Sequence, residues 1–411
     1  MRLVLYAAIL AAVFQDSRVL EEARLSPRYF TRRRKMPFDM LLRYLLRGAK
    51  GSAQAELNDF FRELGDEIHM TQQALSKARS HFNHTPFMKA FYAAVNAEYN
   101  LKRDSELLRR YGYKLIAIDG SVIALPNLPE LRNLFGEMNG SPSARASIAL
   151  DVLGDWIVEA EFEALSFDER TLAMRHIHKL AGQIQMEDTV FIFDRGYASK
   201  DMIKAVLDVK AHFLMRVKRN FNADIDAAPM GSSFVTLENG IRVRVIKFAL
   251  ASGEIETLIT DLFDLDESVF KELYFLRWPV EIKFDIVKNK LELPNFTGFS
   301  ENILRQDFWI SMVLANAVSV AKSEADETIK NEREEKENRY EYQANVNNII
   351  ASMRHRFADA VFCPNPVSRM IRINKILQEI ASSVVPKRPD RAVTRKSARK
   401  TKYHHNKKYN V

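Results

Sequence analysis

The chain has 411 residues, a formal net charge of +8, 47% hydrophobic and 28% charged side chains. Its length exceeds one ordinary core, so two or three domains are expected. The composition is that of a globular protein, and no uninterrupted apolar run reaches the roughly 20 residues that span a bilayer, which argues against a membrane-spanning class. Cys363 is the only cysteine, which excludes an intramolecular disulfide and fits a reducing compartment. The nine histidines are scattered. His176 and His178 lie two apart and would not share a helix face, so no zinc site is expected.

Charge is unevenly placed. From Pro386 to Val411 there are ten Lys or Arg and one acid, Asp390, so this stretch carries +9 and residues 1–385 sum to −1. A basic tail without apolar periodicity is expected to be disordered; it suits a polyanion or simply solubilises the chain.

In chain order, Leu3–Phe14 is apolar and follows Arg2, as in a secretory leader. Val13, Phe14, Gln15 and Asp16 make a poor cleavage site, so a buried first helix is the preferred reading. Residues 1–110 read as helical. Arg28, Arg32, Arg33, Arg34 and Lys35 cluster before Pro37, ahead of amphipathic runs at Phe38–Leu46 and Ala53–Leu64. In Met70–Arg79, Thr71 is placed to cap a helix. That helix is either a recognition element for a major groove or an ordinary solvated surface.

The pattern changes at Tyr113. Lys114–Ile118 reads as a buried strand ending at Asp119-Gly120. Ala146–Leu153 and Trp156–Phe162 form a hairpin around Gly154-Asp155. Asp168–Ala181 reads as a helix, and Thr189–Phe193 as a buried strand closed by Asp194-Arg195-Gly196. Both apolar strands deliver an aspartate at their C-terminal ends, the edge where α/β sheets place ligands. After a helix near Lys200–Leu207, strands are expected at Phe213–Lys218, Ser233–Leu237, Ile241–Ala249 and Glu256–Thr260, a β-rich insertion. Helices resume at Ser268, Leu304–Phe357 is mostly helical, and the charged Lys322–Arg339 reads as a solvated face.

Tyr274, Arg277, Glu281 and Lys288 have offsets of 0, 3, 7 and 14. On a helix they share an arc of about 60°. Pro279 suits a first turn or a kink, so the helix is expected to start near Trp278 with Tyr274 and Arg277 on the preceding turn. A salt-bridged helix surface explains this cluster by itself. Adding Asp119 and Asp194 opens another reading. Converging carboxylates repel unless cations neutralise them. Oxygen-only ligation suits Mg²⁺ or Mn²⁺, and two such ions about 4 Å apart can clamp an in-line displacement at a phosphodiester. Arg277 and Lys288 would then hold phosphate oxygens.

These residues resemble a known family. Tyr274, Arg277, Glu281 and Lys288 match the Y-x2-R-x3-E-x6-K signature of bacterial insertion-sequence transposases of the DDE type, in the IS-four group. Ile118-Asp119-Gly120-Ser121 with Leu125-Pro126 resembles the first-aspartate block, and Asp194-Arg195-Gly196-Tyr197 the second. Phe30–Phe38 and Gln306-Asp307-Phe308 are also similar, and the resemblance covers about residues 25–360.

The resemblance implies an α/β fold with a ribonuclease-H-like catalytic core, a β-rich insertion and helical flanks. The expected boundaries are 1–110 for a helical DNA-binding region, 111–325 for the catalytic domain with its insertion at about 208–266, 326–385 for a C-terminal helical region, and 386–411 for the tail. It implies that Asp119, Asp194 and Glu281 are catalytic and hold two Mg²⁺ or Mn²⁺ ions, and that Tyr274, Arg277 and Lys288 contact DNA. Gly196 reads as a turn residue, and Tyr197 as packing. The implied activity is cleavage at transposon ends, often through a hairpin, and strand transfer. The implied partners are double-stranded DNA, as terminal inverted repeats and target, in a homodimeric synaptic complex, with no membrane. A cytoplasmic, nucleoid-associated location follows. The alternatives are a transposase-derived DNA-binding protein without turnover, and a ribonuclease-H-like nuclease that does not join strands.

Overall fold

The computed structural model describes residues 1–387 except Arg33, 49–50, 66–67, 103–108, 251 and 334–339, and the side chains of Leu101 and Lys102. Residues 388–411 of the basic tail, Arg33 of the basic cluster and 334–339 of the charged stretch therefore lie outside the described residues, while Pro386 ends a short strand, Val384–Pro386. The rest is a mixed α/β structure with a central sheet and helices. It divides into two compact units. One holds Asn96–Ile123 and Asn133–Asp285; the other holds Met1–Val95, Ala124–Arg132 and Ile286–Val411.

The first unit contains the sheet. Its strands are β1 (Lys114–Ala124), β2 (Glu137–Met138), β3 (Ser141–Asp151), β4 (Trp156–Ala164), β5 (Thr189–Phe193), β6 (His212–Arg216), β7 (Gly231–Thr236), β8 (Arg242–Ala249) and β9 (Ile255–Thr260). Among the described residues they form one nine-stranded sheet in the order β2-β3-β1-β5-β6-β9-β8-β7, with β4 paired to β3. β5 runs parallel to both β1 and β6. β3–β4 and β7 through β9 are antiparallel. Leu115, Ile116, Ala117 and Ile118 of β1 and Val190–Phe193 of β5 are fully buried. Such near-continuous apolar runs belong to strands covered on both faces.

Two expectations need adjusting, while the break expected at Pro279 is present. β1 does not end at Asp119 but continues to Ala124, with its second half mostly half-buried. β3 begins at Ser141, five residues before its apolar run, because Ser141 and Pro142 pair with β2 and Ala144 to Asp151 with β4. The stretch around Pro279 is not one helix. Val269–Phe275 and Pro279–Asp285 are separate α-helices, and Ile286–Lys290 is a π-helical turn. Proline lacks the N–H that an interior helical residue donates, so it opens the second helix at its first residue.

The second unit is mostly helical. The 33-residue helix Glu301–Arg333 is buried along much of its length. The apolar run expected as a first helix forms Arg2–Gln15, with Leu3, Tyr6, Ala7, Leu10, Ala11 and Phe14 buried. Tyr6 donates to the Val313 carbonyl (2.8 Å). The carboxylate of Glu324 accepts from the backbone N–H groups of Arg2 and Leu3, which satisfies donors that a helix start leaves open. Among the described residues no single helix is long and apolar enough to cross a membrane.

Thr71 caps Gln72–Arg79, accepting from the Ala74 N–H. The basic face expected there is smaller than the sequence suggests. Arg79 is buried, paired with Asp307 at 2.9 Å and bonded to Gln306. Gln72, Gln73, Ser76 and Lys77 are its exposed polar residues. The Gln306-Asp307 block thus serves this helix, and Asp307 also holds the Thr297 N–H. Upstream, Tyr29 stacks on His81 at 3.8 Å, and Phe30 packs on Phe38 and Phe82. These aromatics pin a loop on which Arg28, Arg32, Arg34 and Lys35 are exposed.

Candidate active site

Ala117 of β1 faces Ile192 of β5 in register. Two residues further on, Asp119 lies within β1 and Asp194 directly follows β5, and the charge of Asp194 acts on the Asp119 carboxyl. Each carboxylate is oriented by the chain that follows it. Asp119 Oδ1 accepts from the Gly120 N–H (2.9 Å) and Asp194 Oδ1 from the Gly196 N–H (2.7 Å). Arg170, on the helix Glu169–Ala181, donates to the carbonyls of Gly196 and Ala198 and so clamps the loop after β5. Behind β1, His176 bonds Ser147 (2.9 Å), whose hydroxyl donates to the Asp119 carbonyl (3.3 Å). Burial pulls the His176 pKa down to about 3, so the ring is a neutral structural link.

The later helices bring the remaining groups. Arg277 donates to Glu281 Oε1 at 2.5 Å, so the salt-bridged arrangement weighed from the sequence is present. Tyr274 is buried, 7% exposed, whereas the sequence placed it on a polar face. Its phenol is held above its ordinary pKa by burial, with the charge of Asp194 among the lesser influences. Lys283 is 1% exposed and donates to the Asp155 carbonyl (2.9 Å) and carboxylate (3.0 Å), fixing the Pro279–Asp285 helix to the β3–β4 turn. Lys288 sits on the π-helical turn, in the other unit.

Electrostatics ties these residues together. Burial pushes the Asp119 carboxyl up to about 7. The Gly120 N–H and Arg277 pull it down, while Asp194 and Glu169 push it further up. Burial opposes the Arg277 charge, but the bond to Glu281 and the charges of Tyr274, Glu281 and Asp119 outweigh it. Two groups absent from the sequence reading emerge. Glu169 heads the helix after β4 and pairs with Arg145 at 2.7 Å. Glu256, buried on β9, pairs with Arg216. Neither follows an apolar run or matches a spacing, so no local pattern marks them.

The donor chemistry at Asp119 and Asp194 fits a divalent cation. Both offer oxygen only, and a buried acid beside other negative charges is stabilised when a cation replaces its proton. Among the described residues no three acidic, His or Cys side chains stand grouped around one metal position, and Glu281 is engaged by Arg277.

Asp119 gives a stability prediction. Its folded pKa, about 7, lies above the ordinary 3.8. Its contribution is fully present below about pH 4 and is lost as pH rises through 7. In chelator, the protein should therefore lose stability between about pH 4 and pH 7. Asp119→Asn should flatten that loss and melt higher at pH 8, by about 2–4 °C for each kcal/mol recovered. Equal pH slopes for both proteins would show that Asp119 is not the group responsible.

Comparison with known proteins places this arrangement in a family. Residues 110–317 match the family model described as Transposase DDE domain, just over half of the chain. The chain belongs to this DDE-domain transposase family. It is 25% identical over 158 residues to a probable transposase for insertion sequence element IS5377 of Geobacillus stearothermophilus, covering 35% of this chain and 42% of that protein. It is 24% identical over 149 residues to the putative transposase y4zB of Sinorhizobium fredii, covering 32% and 42%. The matches thus span 42% of the length of each relative. A piggyBac transposase synaptic complex with hairpin DNA is similar with a TM-score of 0.49 at 11% identity, covering 93% of this chain and 85% of that one.

Proposed function

We propose that the chain is a DNA transposase that cuts double-stranded DNA at transposon ends and joins the ends to target DNA. The observation that carries this reading is Asp119 on β1 and Asp194 just after the neighbouring parallel strand β5, with the Asp119 carboxyl raised to about 7. The sheet order supports a ribonuclease-H-like core: the β3–β4 hairpin lies beside β1, and β5 and β6 extend the other side in parallel. β7, β8 and β9, between the second aspartate and Glu281, are the β-rich insertion of that reading. The signature at Tyr274, Arg277, Glu281 and Lys288 assigns the protein to the IS-four group.

In this mechanism Asp119 and Asp194 would hold two Mg²⁺ or Mn²⁺ ions, and Glu281, bonded to Arg277 in this structure, would be the third ligand. The ions would activate the attacking water or 3′-hydroxyl and stabilise the leaving oxygen. Arg277, released from Glu281, offers a guanidinium fork to phosphate oxygens. Lys288 and Tyr274 act on the same DNA. The pinned basic loop at residues 28–35 and the tail supply sequence-independent attraction to the duplex. The working form is a homodimer on paired ends, in the cytoplasm with the nucleoid.

The test uses the full chain and a plasmid carrying the DNA that flanks its own gene, where inverted repeats bracketed by short direct repeats are expected. Mg²⁺ or Mn²⁺ should support cleavage and strand transfer, and Ca²⁺ should support binding with little chemistry. Full cleavage in excess chelator would sink the metal reading. Cleavage without joined products would favour the non-joining nuclease.

A further inference from the structure

Asp194 follows β5 directly, and Ser199 caps the next helix, Lys200–Asp208, so residues 195–199 are the whole connection between them. Gly196 is held within it from two sides. Its N–H donates to Asp194 Oδ1 (2.7 Å), and its carbonyl accepts from Arg170 Nε (2.9 Å). The contact with the acid is tight. A Cβ at Gly196 would stand 3.0 Å from Asp194 Oδ1, so a shift of Gly196 passes to the carboxylate. Arg170 Nη2 also donates to the Ala198 carbonyl (3.2 Å). Arg170 is exposed, and ordering an exposed arginine costs rotamer freedom. Here its planar fork fixes two acceptors of one short loop, which a lysine ammonium would define less sharply.

The helix that carries Arg170 is tied to the other aspartate. Asp168 caps its start by accepting from the Thr171 N–H (2.7 Å). Further along it, buried His176 bonds Ser147 (2.9 Å), whose hydroxyl donates to the Asp119 carbonyl (3.3 Å). One helix, Glu169–Ala181, therefore reaches the backbone at Asp119 through His176 and Ser147, and the loop of Asp194 through Arg170.

We propose that Arg170 is a positioning residue. It fixes the Asp194 carboxylate relative to Asp119 by tying the loop after β5 to this helix, and so sets divalent-cation affinity without touching cation or DNA. The inference rests on the proposed metal-dependent reading of Asp119 and Asp194. Its sign separates it from a charge effect. A nearby positive charge opposes cation binding, so deleting Arg170 for its charge alone would leave binding unchanged or tighten it. Losing a positioning bond weakens it.

The experiment is Mn²⁺ binding to the full-length, DNA-free protein, read by the loss of the free-ion electron paramagnetic resonance signal. Wild type is compared with Arg170→Ala, Arg170→Lys and Asp194→Asn. Arg170→Ala should weaken binding about tenfold, the usual cost of removing a partner that orients a metal ligand. Arg170→Lys, which keeps a donor for the Gly196 carbonyl, should recover most of that loss. Amide hydrogen exchange over residues 194–198, measured in chelator, should be faster in Arg170→Ala, and gel-shift affinity for DNA in chelator should be unchanged. Thermal melts in chelator establish that each variant is folded, and Arg170→Gln replaces Arg170→Ala if the latter is not. Unchanged or tighter Mn²⁺ binding in the folded variant, with binding lost in Asp194→Asn, overturns this inference alone. A loss of DNA affinity without a loss of Mn²⁺ affinity makes Arg170 a DNA contact and overturns it too. Wild-type Mn²⁺ affinity in Asp194→Asn overturns the reading beneath it.

Discussion

Asp119→Asn and Asp194→Asn should each reduce cleavage by several orders of magnitude while DNA binding persists or tightens. Each substitution keeps the side chain's shape and its acceptor oxygen for Gly120 or Gly196. What is lost is one negative charge from the proposed cation site. Metal activation supplies several kcal/mol of transition-state stabilisation, and each 1.36 kcal/mol is about tenfold in rate. Glu281→Gln should show the same loss of cleavage. Arg277→Ala should differ by weakening the DNA complex as well, because it removes the guanidinium proposed to hold phosphate. Cleavage and gel-shift on one end-containing duplex distinguish these outcomes. A carboxamide variant cutting at near wild-type rate is not altered at a metal ligand. If Glu281→Gln were that variant, its bond to Arg277 would be its whole role.

Arg79→Met should cost about 3–5 kcal/mol, the usual consequence of leaving one partner of a buried ion pair uncompensated. The side chains of Arg79 and Asp307 are 4% and 5% exposed. Removing the guanidinium strands the Asp307 carboxylate, leaving Thr297 as its named partner. Arg79→Met combined with Asp307→Asn should recover part of the loss, since the stranded charge is gone. Urea denaturation of the two variants checks this. A single variant within 1 kcal/mol of wild type would mean that water reaches the pair.

The sequence was legible where the signal was local. Thr189–Phe193 is a five-residue apolar run ending in an acid, and it became a strand with the same bounds. Asp168, Thr71 and Ser199 head helices because a short polar side chain can accept from a backbone N–H two or three residues on. Legibility failed where meaning lay in distant partners. Arg79 looked like a groove-facing cation because nothing nearby announces Asp307, 228 residues later. Lys283 drew no notice for the same reason, with its partner 128 residues upstream. The arithmetic that set Tyr274 to Lys288 on one face assumed continuous α-helical geometry. The chain instead runs through a break before Pro279 and a π-helical turn at Ile286–Lys290. Asp119 and Asp194 were identifiable as strand-end acids. Glu169 was not, because its nearness to Asp119 depends on Gly120 having no side chain.

The bond between Lys283 and Asp155 has a consequence for how the gene can vary. A surface hairpin turn normally tolerates insertions and deletions, since few contacts depend on its length. Here the turn after β3 carries Asp155 in a left-handed conformation (φ 54°) and presents both its carbonyl and its carboxylate to Lys283. Two residues before Lys283 on the same helix is Glu281. The turn therefore acts as a ruler for the third acid: one residue added or removed there would either break the anchor or carry the helix with it. A length change in this turn should therefore disturb the Pro279–Asp285 helix, whereas substitutions that keep the Asp155 anchor should not.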